Sequence, residues 1–160
     1  MSPAPLSIAI GCDDAGTDYK AALGAHLAAR GHKVVDVGVA PGAHTPYPDI
    51  AAAAARGVAA GTADRALLIC GTGLGMAIAA NKVLGVRAVT AHDVYSVERS
   101  ILSNNAQVLC LGARSVGLEL ARRLLDAWLA VRFDPASPSA AKVARIAALE
   151  GALAGGSGRT

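Results

Sequence analysis

Cys70, Thr72 and the glycines at 71, 73 and 75 share one unbroken stretch, Cys70-Gly71-Thr72-Gly73-Leu74-Gly75-Met76. It closes an apolar run, Ala66 to Ile69, and opens a small-residue stretch, Ala77 to Lys82, that reads as a helix. A thiol therefore stands where a buried strand ends and a glycine-rich turn begins. The backbone N–H groups of such a turn, with the helix N-terminus behind it, make a ready anion site. The same positive end favours a thiolate. The implied chemistry is a nucleophile or base beside an anion cradle. Taken singly, each feature has a plainer reading: a core thiol, or a turn that merely needs glycines. Three glycines alternating with Cys, Thr and Leu at a strand-to-helix junction favour a ligand approaching the backbone. The turn is not a dinucleotide fingerprint, because Ile78 takes the place of the third glycine, and no Gly-Lys-Ser/Thr marks a triphosphate loop.

The elements that must position this turn alternate along the chain. Strands read at Leu6 to Gly11, Lys33 to Val37, Ala66 to Ile69, Arg87 to Ala91 and Gln107 to Leu111. Helices read at Tyr19 to Ala29, Asp49 to Ala60, Met76 to Lys82, Val94 to Leu102 and Gly117 to Val131, the last with Trp128 on its apolar face. Short, nearly all-apolar strands separated by helices predict an α/β fold: one Rossmann-like, doubly wound, parallel five-stranded sheet covered on both faces. Asp134-Pro135-Ala136-Ser137-Pro138 breaks the pattern, and Ser139 to Leu153 reads as an extra C-terminal helix placed to pack on a partner subunit. A single domain over residues 1–153 with a frayed tail over 154–160 is expected.

In such sheets ligands bind beyond the carboxyl ends of the strands. Cys12-Asp13-Asp14, Cys70-Gly71-Thr72, His92-Asp93 and Gly112-Ala113-Arg114 all fall there. Asp13 and Asp14 are either ligand contacts or helix caps. His92 is a ligand contact or a satisfied structural histidine. Arg114 is the better anion-binding candidate among the scattered arginines. Cys12 and Cys110 read as core thiols, and His26 and His32 as solvated. His44 shares a Gly/Pro/His loop, Val39 to Pro48, with Tyr47, and either reaches a ligand or does nothing.

The totals narrow the function. A formal charge of +3 with 3% aromatics offers neither a basic face nor a stacking platform, which argues against nucleic acid. Hydrophobic content of 53% is rich in alanine, and no apolar run reaches the roughly 20 residues of a membrane helix. Met1 to Pro5 shows no signal-peptide pattern. Three scattered cysteines give neither a disulfide framework nor a CxxC metal spacing, so no metal site and a cytoplasmic location are expected.

Asp13, Tyr47-Pro48-Asp49, the block Ile69 to Met76, Ala79-Ala80-Asn81-Lys82, Gly85-Val86-Arg87-Ala88 and Gly112-Ala113-Arg114 together resemble the family of ribose-5-phosphate isomerase B and galactose-6-phosphate isomerase. The likeness runs from about Ile8 to Ile146. It implies a cofactor-independent aldose–ketose isomerase of sugar phosphates, working through a cis-enediolate. It also implies active sites at the interface of a homodimer or a dimer of dimers. By resemblance the base is Cys70. Thr72 and Asn104 match positions that hydrogen-bond substrate oxygens, Asp13 one that holds hydroxyls, and Tyr47 one that lines the pocket. The amides of Gly71, Gly73 and Gly75 would hold the developing oxyanion.

The departures from the family pattern are informative. Asp13-Asp14 replaces Asp-His, and Ser103-Asn104-Asn105 replaces a His-Asn-Asp run whose histidine is expected to open a furanose ring. Two phosphate-gripping arginines are replaced by about Pro138 and Lys142. Arg114 remains, Lys142 can help, and Asp14 would repel an anion placed against it. A lost ring-opener suggests a substrate with no ring. The segments Ala91 to Arg99 and Leu102 to Gln107 are also similar to the branch that isomerises D-erythrulose 4-phosphate. The competing expectations are an ordinary ribose-5-phosphate isomerase, with Ser103 or water opening the ring, a related hexose-phosphate enzyme, and a non-catalytic sugar-phosphate sensor.

Overall fold

The computed structural model of this chain describes residues 4–38 and 44–155. Residues 1–3, part of the Gly/Pro/His loop (39–43) and the tail from 156 lie outside the described residues. Eleven elements are β1 (Ser7–Cys12), α1 (Thr17–Ala29), β2 (Lys33–Asp36), α2 (Tyr47–Ala59), β3 (Arg65–Cys70), α3 (Leu74–Ala80), β4 (Ala88–Thr90), α4 (Val94–Leu102), β5 (Val108–Gly112), α5 (Leu118–Ala130) and α6 (Ala140–Gly155). A short 3-10 turn, Asp14–Gly16, joins β1 to α1.

All five strands pair in parallel, in the order β2-β1-β3-β5-β4. Right-handed crossovers dictate the layers. The chain moves one way across the sheet from β1 to β2 and from β4 to β5, and the other way from β2 to β3 and from β3 to β4. Residues of α1, α4 and α5 accordingly share one core with Ile8, Ile10, Leu67, Ile69, Leu109 and Leu111. Residues of α2 and α3 share the other with Ala9, Ala66, Leu68, Cys70, Val108 and Cys110. The two-residue pleat sends alternate side chains of each strand into each core, which is why the strands read as continuous apolar runs. The alanine-rich α2 buries Ala51, Ala54 and Ala55, so this helix lies close against the sheet.

Several element bounds differ from the sequence reading. β3 starts one residue earlier, at Arg65, which is only 7% exposed. Its guanidinium donates to the Trp128 and Val131 carbonyls at the end of α5 and lies 5.0 Å from the Trp128 ring centroid. A charge with that many partners can enter a strand that hydropathy alone would begin at Ala66. β4 has three residues rather than five. α3 starts at Leu74, two residues before the predicted Met76, because Gly73 takes φ 80° and turns the chain directly into the helix.

The histidines expected in solvent are not there. His26 Nε2 lies 2.7 Å from Asp126 Oδ1, joining α1 to α5, and His32 Nδ1 accepts the Leu6 N–H at 3.0 Å. Both are half-buried. Among the described residues no helix is long and apolar enough to cross a membrane, and no group of three His, Cys, Asp or Glu could hold a metal.

Candidate active site

The switch in strand order falls between β1 and β3, which is where a doubly wound sheet opens a crevice at its carboxyl edge. Register aligns the ends there: Cys12 pairs with Ile69, and Cys70 with Gly112. Asp13, the glycine turn and Arg114 follow on neighbouring strands. Backbone bonds lock them together, from Asp13 N–H to Ile69 O at 3.1 Å, Ala113 N–H to Cys70 O at 2.8 Å and Arg114 N–H to Gly71 O at 3.0 Å.

Cys70 ends β3 with its side chain on the α2/α3 side of the sheet and keeps 7% of its surface exposed. The Gly73 N–H donates to its Sγ at 3.0 Å. An amide aimed at the sulfur is a donor placed to meet negative charge that develops there. Cys12 and Cys110 are core thiols as expected, 3% and 0% exposed. Burial pushes both thiols up from their ordinary values; at Cys110 the neighbouring Cys70 adds to the effect.

Two glycines of the turn have neighbours at the place where a side chain would begin. Gly73 has φ 80°, and a Cβ on it would stand 3.1 Å from the Cys110 backbone. A Cβ on Gly75 would lie 2.6 Å from the Tyr47 ring. Tyr47 therefore rests on the turn from the first residue of α2. Thr72 Oγ1 accepts the Leu74 N–H at 3.3 Å. One contact went unread in the sequence: Thr90 Oγ1 donates to the Gly73 carbonyl at 3.0 Å, bracing the turn from β4. Its only sequence signal is a hydroxyl at the carboxyl end of a strand.

A cleft of about 280 Å³ opens beside the turn, lined by Asp13, Asp14, Ala15, His44, Thr45, Pro46, Tyr47 and Arg114. Cys70 does not line it. Arg114 connects the two, because its side chain lies 3.5 Å from where a Gly71 Cβ would be. Asp13 caps the 3-10 turn, its Oδ1 accepting the Ala15 N–H at 3.0 Å, so the capping reading holds for this oxygen. Asp14 Oδ2 lies 3.1 Å from His44 Nδ1.

The remaining predicted residues lie elsewhere. His92 is exposed just past β4, an edge strand, while Asp93 caps α4 through the Ser96 N–H at 2.7 Å. Ser103 caps the end of α4, and the Asn104 carbonyl accepts from Arg87 Nε at 3.0 Å. That contact puts Ser103 and Asn104 at the amino edge of β4 and β5, opposite the Cys70 turn. Lys142 is exposed on α6.

Residues 8–146 match the sequence profile of the family described as Ribose/Galactose Isomerase. The chain belongs to this family. It is 65% identical over 150 residues to D-erythrulose-4-phosphate isomerase 2 of Mycolicibacterium smegmatis, covering 92% of this chain and 99% of that relative. It is 46% identical over 142 residues to the D-erythrulose-4-phosphate isomerase of Pectobacterium atrosepticum, covering 88% and 93%. Among solved structures, ribose-5-phosphate isomerase B of Clostridium thermocellum superposes with a TM-score of 0.87 at 39% identity, over 92% of this chain and 99% of that one. The doubly wound sheet is thus the fold of this family, and the glycine turn lies within the matched span.

Proposed function

We propose that the chain is a cofactor-independent aldose–ketose isomerase of a small sugar phosphate, with D-erythrulose 4-phosphate and D-erythrose 4-phosphate as its pair. The observation that carries the reading is Cys70 under its glycine turn, with the Gly73 amide on the sulfur, at the switch-point edge of a Ribose/Galactose Isomerase family member. The Cys70 thiolate removes the proton from the carbon beside the carbonyl. The C–H electron pair becomes the enediolate double bond, and the carbonyl pair moves onto oxygen. Amides of the turn hold that oxyanion, and Thr72 orients the neighbouring oxygen. The thiol returns the proton to the adjacent carbon while a proton passes between the two oxygens, completing the isomerisation.

Substrate size follows from what the chain lacks. Ribose 5-phosphate closes into a furanose through its 4-hydroxyl, whereas a tetrose 4-phosphate carries its phosphate on that oxygen and stays open. Ser103 stands where a ring-opening histidine is expected, so an open-chain substrate suits this chain. The similarity to two D-erythrulose-4-phosphate isomerases supports the same pair. The likeness to ribose-5-phosphate isomerase B favours a second reading, turnover of ribose 5-phosphate.

The working form is a homodimer, alone or paired into tetramers, in the cytoplasm, where three free thiols stay reduced. Its support is the separation of the candidate residues: Cys70 at the carboxyl edge and Asn104 at the amino edge serve one substrate only if they come from two chains. Steady-state turnover of the two sugar phosphates tests the substrate, and preferred use of ribose 5-phosphate replaces the first reading with the second. Cys70→Ala abolishes isomerisation and leaves the fold unchanged by circular dichroism; retained turnover in that variant removes Cys70 as the base.

A further inference from the structure

Asp14 poses a problem for an anionic substrate, because a free carboxylate in the cleft would repel phosphate. The cleft resolves it. Its charged lining is Asp13 and Asp14 from the end of β1, His44 from the segment before α2, and Arg114 from beyond β5. Both carboxylates are engaged: Asp13 with the Ala15 amide at 3.0 Å, and Asp14 with His44 Nδ1 at 3.1 Å. Arg114 makes no side-chain hydrogen bond or ion pair among the described residues, and neither does His44 Nε2. The pair is 83% and 73% exposed at its two side chains, so its worth to folding is small. Its effect is local. A carboxylate on Nδ1 fixes the ring and leaves Nε2 to meet a ligand as a donor.

We propose that His44 is a substrate-binding residue, the second cation beside Arg114 for a phosphate monoester, and that Asp14 is the positioning residue that holds it. This rests on the sugar-phosphate reading and deepens it. With His44 neutral, the carboxylates of the cleft outnumber its cations. With His44 protonated they balance, and a phosphate enters against two donors, the guanidinium of Arg114 and Nε2–H of His44. Asp14 thereby changes sign in its effect: bare, it opposes phosphate; paired, it supplies the cation that binds phosphate. Charge-assisted donors to phosphate are the strong class of hydrogen bond, which sets the size of the expected loss.

The test uses the full-length protein with His44→Gln, Asp14→Asn and the double variant. Both side-chain changes are at exposed positions, and circular dichroism checks the folds of the three variants. His44→Gln raises KM for D-erythrulose 4-phosphate and the inhibition constant of inorganic phosphate by about tenfold, with kcat held within about twofold. His44→Arg, which keeps a cation, restores most of the affinity. Asp14→Asn raises KM in the wild-type background and lowers it in the His44→Gln background, a reversal that a residue acting only by repulsion cannot give. An unchanged KM in His44→Gln, or a lower KM for Asp14→Asn in both backgrounds, overturns the proposal. If the wild-type chain turns over no sugar phosphate, the isomerase reading falls by itself. Calorimetric titration with inorganic phosphate then still decides this one. Weaker binding in His44→Gln sustains it, and equal binding, or none to the wild type, ends it.

Discussion

Gly73 and Gly75 sit two residues apart in one turn, yet an added methyl group meets different obstacles at each. At Gly73 the obstacle is backbone: φ 80° is left-handed, and Cys110 backbone atoms lie 3.1 Å from the new Cβ. A left-handed non-glycine residue costs about 1–2 kcal/mol, so Gly73→Ala lowers the melting temperature by roughly 2–8 °C. It also displaces the amide that donates to Cys70, so kcat falls with it. At Gly75 the obstacle is the far end of Tyr47, a side chain 41% exposed and free to swing aside. Alanine is also the better helix former, and Gly75 lies in the first turn of α3, where the gain is below the roughly 1 kcal/mol of a helix interior. Gly75→Ala therefore keeps or raises the melting temperature while kcat/KM drops about tenfold as Tyr47 leaves the cleft wall. Thermal melts beside steady-state kinetics separate the two, and a Gly75→Ala variant with unaltered kcat/KM removes Tyr47 from the site. The thiol and its glycines were legible in the sequence because they are contiguous. The pairing of Asp14 with His44, and of His26 with Asp126, was not, because only the folded sheet brings those residues together.

Elements obey hydrogen-bond register more than hydropathy at their ends, which is why the existence of all five strands was legible and several bounds were not. Arg65 shows the difference. It falls just outside the strand read at Ala66 to Ile69, yet it is a buried strand residue capping α5. At the entry to β1 and β2, His32 is a second such bracket. Its Nδ1 accepts the Leu6 N–H, and Lys33 N–H returns a bond to Leu6 O at 2.9 Å. Protonating Nδ1 would set a hydrogen against a hydrogen. Burial, with Arg132 and Arg65 nearby, holds His32 below its ordinary 6.5. Since the folded state binds this proton less readily than the unfolded chain, stability is full above about 6.5 and declines as the pH falls through that value towards the lower folded one. Urea denaturation at pH 5 and pH 8 measures the decline, and His32→Asn shrinks it. An equal pH dependence in the variant would place the sensitivity in another group.

Among the described residues, an apolar surface stands uncovered. Leu74 is 56% exposed, Ile78 and Leu84 are each 64% exposed, and a groove of about 380 Å³ runs between α2 and α3 past Tyr47, Gly75 and Ile78. α6 stands largely exposed, tethered where the Gly85 N–H donates to Glu150 at 2.9 Å, and it presents Ile146 and Leu149. The candidate residues meanwhile fall at opposite edges of the sheet. At about 3.3 Å per residue, the five residues of β5 alone put Asn104 roughly 16 Å or more from the Cys70 turn. The homodimer proposed above would answer both facts, by covering the apolar face and bringing one chain's amino edge to the other's carboxyl edge. Light scattering then gives two or four times the 15.9 kDa chain mass, and Ile78→Glu yields an inactive, folded monomer. Complementation is the sharper measurement. Cys70→Ala and Asn104→Ala are each inactive alone, but each mixed dimer carries one site in which both residues are intact. Random pairing makes half the dimers mixed with one working site of two, so co-refolded variants recover about a quarter of wild-type turnover. No recovery would mean that both residues serve the same chain or that Asn104 serves no site, and a fully active Ile78→Glu monomer would detach catalysis from the interface.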